Sequence, residues 1–231
     1  MATYQPVCMT NKAATAESSD TKRKLLDASV KLMRSKGFNA TTVDDICGVA
    51  GVTKGGFFHY FQSKQDIAKA AVDRFREARR LAFEQAPFRK LADPLDRIYG
   101  RLNFIKKELL ESVQVTGGCL VGMFAQEMAF TNPELRAACQ DSFLHLAQDF
   151  EKDLAAAKAH YAPKADFDPK GLAILFVATY QGSVLMAKTT DNNTVIGENF
   201  DQFGRLLAAL FSQSATPTTS IVPPIANHSL N

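Results

Sequence analysis

The chain has 231 residues, 46% of them hydrophobic, with 13 glycines and 9 prolines: enough for one or two domains around a sizeable core, and too little Gly and Pro for a low-complexity chain. Neither a bilayer-spanning run nor an export signal is expected, since Met1 to Ser19 is polar throughout, and Cys8, Cys47, Cys119 and Cys139 lack paired metal-site spacing, so the reading is reduced thiols in a cytoplasmic protein that does not meet a membrane. The net charge of +3 is uneven, with 14 Lys/Arg against 8 Asp/Glu through Arg80 and 13 against 16 thereafter, which suits a nucleic-acid module joined to something else.

Residues 1–18, rich in Ala, Thr, Ser and Asn, read as a disordered tail. Asp20 to Lys36 reads as a helix burying Leu25, Ala28, Leu32 and Met33, ended by Gly37. Thr42 is placed to cap a two-turn helix, with Asp45 at the capping-box position and Val43, Ile46, Cys47 and Ala50 forming its apolar stripe. Gly51 ends it in a tight turn. Thr53 caps a second short helix whose Phe57 and Phe61 face the core. Helices this short are marginal alone, so packing must hold them, and a helix-turn-helix does so while freeing the second helix for the major groove. Ser63 then caps a long helix running to about Gln85, with Ile67, Ala70, Ala71, Phe75 and Ala78 on one side.

Pro87 and Asp93-Pro94 mark a junction. Helices are expected from Pro94 to about Glu111 and from Gly117-Gly118 through Cys119, Met123, Gln126 and Phe130. Another should run from Asn132-Pro133 to about His160, a cap followed by proline at the first helical position. Asp168-Pro169 repeats that signal before Leu172–Met186, a segment apolar nearly all round that must be covered on both sides. A last helix, about Ile196 to Phe211, carries Phe200, Phe203, Leu207, Leu210 and Phe211. Residues 214–231 read as a loose Thr/Pro/Ser-rich tail.

Lys54 and Lys64 each follow a cap, at the partially positive end of a helix, where a bound phosphate would turn an unfavourable lysine into a favourable one. From Gly37 to Ile67 the chain resembles the tetracycline-repressor (TetR) family of bacterial one-component regulators. The residues that carry the resemblance are Gly37, Phe38, Thr41, Thr42, Val43, Ile46, Ala50, Gly51, Val52, Thr53, Gly55, Phe57, Tyr60, Phe61, Lys64 and Ile67, at fixed spacing over roughly the first third of the chain. Cys47 and Phe58 depart from the family's usual alanine and tyrosine.

The fold class is therefore all-α, about nine helices: a helix-turn-helix domain over residues 19–66 joined to a helical bundle over 67–213. The DNA-contacting residues are expected to be Thr41, Thr42, Thr53, Lys54, Gly55, Gly56, Phe58, His59, Tyr60 and Lys64. Gly55 and Gly56 would allow close approach of the backbone to DNA. The resemblance implies a homodimer through the last two helices, a palindromic DNA operator, release by a small-molecule effector, and repression rather than activation. It also implies an effector pocket, for which Phe104, Cys119, Met123, Phe124, Phe176 and Tyr180 are the candidates. Cys119, beside a helix start, is a candidate sensor of electrophiles or oxidants.

Chemistry is poorly supported. Asp141, Ser142 and His145 share a helical face, but a helix surface seldom holds a nucleophile and base in attack geometry beside an oxyanion hole. His59, His145, His160 and His228 are scattered. No catalytic residue, metal or cofactor is expected. The competing class is a helical enzyme or small-molecule-binding protein without DNA function.

Overall fold

The structure is a computed structural model that describes residues 10–116 and 118–212. Within them the chain forms nine α-helices and no strand. The local signals set most boundaries. In α2 (Val43–Ala50) the Thr42 hydroxyl accepts from Asp45 N–H while the Asp45 side chain accepts from the Thr42 amide, and Gly51 closes the helix in the left-handed conformation. Thr53 caps α3 (Lys54–Tyr60) by accepting from Gly56 N–H, and Ser63 caps α4 (Lys64–Gln85) by accepting from Asp66 N–H. Each such cap satisfies an amide that a helix start leaves without an intrahelical partner.

The first helix, α1 (Thr10–Lys36), begins well before Asp20. Its added turns contain Ala13, Ala14 and Ala16, which favour helix, and no Gly or Pro. Residues 1–9, with Cys8, and the tail expected after 213, with His228, lie outside the described residues. A 3₁₀ turn at Pro87–Lys90 links α4 to α5 (Pro94–Thr116), which continues past the expected end at Glu111. Then follow α6 (Leu120–Met128), α7 (Pro133–Tyr161), α8 (Pro169–Thr190) and α9 (Thr194–Ser212). Asn132 and Asp168 cap α7 and α8, each with proline at the start.

One core runs through both parts. Leu25, Met33, Ile46, Phe57 and Ile67 are fully buried between α1 and α4, and Phe150, Phe176, Phe200 and Phe203 stack where α7, α8 and α9 meet. By length and composition α8 could cross a bilayer, against the expectation that no segment could. Here its Leu172, Phe176, Tyr180 and Val184 are packed inside the bundle, so that face serves the core, whereas Ile174, Leu175, Leu185 and Met186 on the other side are exposed and the expected cover on both sides is absent within the protomer.

The α5–α7 seam holds a charged knot. Arg101 is fully buried, donating to Asp149 at 2.8 Å and Asp153 at 2.9 Å beneath the rings of Phe83, Phe88 and Phe150. Arg89, from the 3₁₀ turn, also pairs with Asp149, and Arg97 pairs with Asp153. Two carboxylates and three guanidiniums thus fix the turn and the bottom of α4 to the bundle.

Candidate nucleic-acid interface and effector cavity

The α2–α3 pair is anchored through Ile46, Cys47 and Phe57, all buried, and turns its other flank outward. Thr42, Thr53, Lys54, Gly55, Phe58 and His59 are exposed there, with Tyr60 and Lys64 partly so. Phe58 is 51% exposed, a large apolar ring left in solvent against the edge of Phe57. The His59 and Tyr60 rings meet edge to face, with centroids 4.7 Å apart.

Several expected residues have other employment. Thr41 is fully buried, and its hydroxyl donates to the Gly37 carbonyl at 2.6 Å, so it shapes the turn between α1 and α2 from inside. Gly56 is close-packed: a Cβ there would lie 2.8 Å from Val52 Cγ1, so the missing side chain lets α3 settle on the turn before it. Gly55 has only the Thr53 hydroxyl near, at 4.0 Å, and leaves its backbone accessible. Lys54 pairs with Asp44 at 3.0 Å, an exposed contact that a phosphate could replace. Lys64 is turned inward, donating to the Phe38 carbonyl at 3.0 Å with its ammonium over the Phe38 ring. Sequence spacing identified both lysines as helix-start cations, but only packing shows that a carbonyl pair already holds the second.

The bundle contains a cavity of about 580 Å³ between α4, α7 and the start of α6. Its walls are apolar where Phe75, Phe83, Val121, Phe143 and Leu146 meet, and polar at Arg79, Lys152 and Gln181. A second cavity of about 300 Å³ shares Phe75, Arg79 and Tyr180 with it and reaches Arg34 of α1. Of the candidate effector residues, Cys119 and Tyr180 line the larger one. Phe104, Phe124 and Phe176 are packed elsewhere, against Phe83 and Phe88, against Phe38, and against Phe150, Phe200 and Phe203 respectively. Met123 lies near Lys188, off the cavity wall.

Burial pushes the Tyr180 hydroxyl well above its ordinary pKa, with the nearby Cys119 adding to the rise and Arg79 opposing it, so it stays a neutral donor. Burial lowers the affinity of Arg34 for its proton, despite favourable Cys119 and Tyr180 nearby. Gln181 has its side-chain Nε2 buried with no partner among the described residues, which makes it a donor in search of an acceptor. Ser142 and His145 also line the cavity, but Ser142 Oγ donates to Ala138 O and His145 Nδ1 lies 2.6 Å from Asp141 O. Both are tied to their own helix instead of to each other. The lining residues that sequence reading missed, chiefly Arg79, Phe83, Phe143 and Gln181, were indistinguishable by periodicity from ordinary inward or boundary positions.

Comparison with known proteins agrees with this geometry. Residues 25–71 match the family described as bacterial regulatory proteins, tetR family, and residues 95–203 match the tetracyclin repressor-like C-terminal domain. The transcriptional regulator AcuR of Cereibacter sphaeroides is 30% identical over 171 residues, 71% of this chain and 74% of that one. An HTH-type transcriptional regulator in the lacX 3' region of Lactococcus lactis subsp. lactis is 28% identical over 189 residues, 79% of this chain and 90% of that one. The crystal structure of a regulatory protein TetR from Rhodobacter sphaeroides superimposes with a TM-score of 0.72 at 27% identity, covering 80% of this chain and 97% of that one. With a reading pair of short helices at one end and a helical bundle around a cavity at the other, the chain belongs to the TetR family and is a DNA-binding transcriptional regulator.

Proposed function

We propose that the protein is a cytoplasmic repressor that binds a palindromic operator as a homodimer and leaves it when a small molecule enters the bundle cavity. The observation that carries this is the pairing of an outward-facing α2–α3 flank with a half-enclosed, apolar-walled cavity whose rim includes α4, the helix that continues directly from the flank. The DNA contacts assigned are Thr42, Thr53, Lys54, Gly55, Phe58, His59 and Tyr60, with Gly56, Thr41 and Lys64 supporting the shape of the interface from behind. Pairing through α8 and α9 is supported by Ile174, Leu175, Leu185, Met186 and Leu206, large apolar side chains left exposed on those two helices. Action by binding and not by turnover is supported by Ser142 and His145, the nucleophile and base candidates at the cavity, each of which is tied to its own helix.

The effector contacts assigned are Phe75, Arg79, Phe83, Cys119, Tyr180 and Gln181. Cys119, a buried thiol on that wall, is also assigned as the group that an electrophilic effector would meet. The test is a gel shift with DNA from the region upstream of the protein's own coding sequence, repeated with candidate metabolites. Binding relieved by one of them supports the proposal; no binding to that region at any salt concentration overturns it. Operator release by an electrophile that survives Cys119→Ser removes the sensor role.

A further inference from the structure

The sharp turn that joins α1 to α2 is held from two sides by charged side chains of other elements. The amides of Phe38 and Asn39 donate to the two carboxylate oxygens of Glu127, at 3.1 and 2.9 Å. The carbonyls of the same two residues accept from Lys64 Nζ, at 3.0 and 3.5 Å. Gly37, with φ of +87°, begins the turn, and a Cβ there would lie 2.4 Å from Glu127 Oε1. Two independent demands, backbone conformation and room for the carboxylate, therefore fall on one glycine. The turn in turn sets α2: Thr41 donates to the Gly37 carbonyl, and Thr42 next to it caps the helix.

Glu127 belongs to α6, so this clasp comes from the bundle and not from the reading domain. Phe124, one turn earlier on α6, packs edge-on against Phe38 with centroids 5.9 Å apart. At the other end of α6, Cys119 and Val121 form part of the cavity wall. There Arg34 of α1 donates through Nε to the Gly118 carbonyl at 2.8 Å. A helix of this length spans about 13 Å at 1.5 Å per residue. It is rigid on that scale, with the cavity against its first turn and the reading domain's turn against its last.

We propose that Glu127 is the positioning residue that ties the state of the cavity to the placement of the α2–α3 pair. Displacement of α6 at Val121 moves the carboxylate relative to the Phe38 and Asn39 amides. Lys64 holds the opposite side of those peptide units, so the turn rotates about the lysine and takes the start of α2 with it. This rests on the reading of the cavity as the effector site, and it adds a route through α6 to the one through α4.

The test uses the full chain and needs neither effector nor operator. Amide hydrogen exchange is followed by NMR in four proteins: the unaltered chain, Glu127→Gln, Val121→Phe, which thickens the cavity wall as an occupant would, and the double variant. Loss of the charged acceptor in Glu127→Gln is expected to speed exchange at Phe38 and Asn39 by about tenfold. Val121→Phe is expected to change exchange across Val43–Phe61 by about threefold in the unaltered background and by less than about half that in the Glu127→Gln background, the non-additivity of coupled sites. An equal effect in both backgrounds would mean that Glu127 only braces the turn, and would overturn the proposal. No effect in either would also overturn it, because the cavity wall would then not communicate with the reading domain. If Val121→Phe does not fold, Leu146→Trp presses on the same cavity from α7 and is read identically. An operator assay that fails bears on the repressor reading alone and leaves this comparison intact.

Discussion

Arg101 shows how a single residue fixes the lower half of the bundle. A fully buried guanidinium is tolerable only because Asp149 and Asp153 meet it and three aromatic rings pack on it. Arg101→Met would leave Asp149 with Arg89 alone and Asp153 with Arg97 alone beside a hydrophobic stem, and a loss of about 1–3 kcal/mol is expected, read as a lower urea midpoint with unchanged slope. The same knot gives a pH signature. Burial pushes the Asp149 carboxyl up, but Arg89 and Arg101 outweigh it and hold it below its ordinary pKa. The folded chain therefore binds that proton less readily than the unfolded chain. Its stabilisation is complete above an unfolded pKa of about 3.9 and is lost as pH falls through the lower folded value. Urea midpoints measured from pH 7 down to pH 3 should fall less steeply for Asp149→Asn than for the unaltered chain; parallel curves would remove Asp149 from the account.

The thiols differ at the same scale. Burial, with Cys119 nearby, pushes the Cys139 thiol up to about 11, and burial also raises Cys47. At pH 8 only about one Cys139 in a thousand would be thiolate, the reactive form. Cys119 lines the cavity, where a reagent gains access. Mass spectrometry after brief iodoacetamide treatment of the folded chain should find Cys119 modified ahead of Cys139. The reverse order would mean that the cavity does not admit small molecules to that wall.

At the scale of elements, the helix starts were the most legible part of the sequence, because a cap is a local matter. Thr42, Thr53, Ser63, Asn132 and Asp168 each cap the helix that sequence pattern assigned to them. The cavity was far less legible. Periodicity tells that Phe104, Phe124 and Phe176 point inward, but not which of several interior junctions each one fills, and that depends on helices far apart in the chain. The same blindness hid the partners of Lys64, since the Phe38 and Asn39 carbonyls lie 25 or more residues before it. The two lysines should accordingly behave differently. Lys54, paired only with an exposed Asp44, is free to exchange that partner for phosphate, so Lys54→Gln should reduce the salt slope of operator binding by about 0.9 with little change in melting temperature. Lys64→Gln removes the ammonium from a carbonyl pair and an aromatic ring, and should lower the melting temperature first. Salt titrations and melting curves on both variants check this, and equal behaviour of the two would contradict the inward placement of Lys64.

At the scale of the whole molecule, α8 and α9 carry two kinds of apolar residue that the sequence alone could not sort. Phe176, Tyr180, Phe200 and Phe203 are spent on the interior, whereas Leu175 and Leu185 remain 46% and 45% exposed. Leu175, Ala178, Gly182, Leu185 and Thr189 recur at three- and four-residue intervals, so they lie along one stripe of α8, and small residues within it allow a second helix to come close. A two-fold partner would present the same stripe, since a self-complementary interface uses one patch twice. A glutamate placed within it would then be pressed against the partner's apolar stripe, where its charge is neither paired nor solvated. Leu185→Glu is therefore expected to sediment as a monomer with unchanged helical content, because the side chain is already half outside the folded protomer. Its operator affinity should fall more steeply than loss of one contact would explain: two α3 helices would no longer be held at a spacing near one DNA turn, about 34–36 Å or a multiple of it. Sedimentation velocity at matched concentrations decides the first point and a gel shift the second. A dimer that survives Leu185→Glu would move the interface off this stripe, and with it the means by which a change in one protomer's α6 reaches the distance between two reading helices.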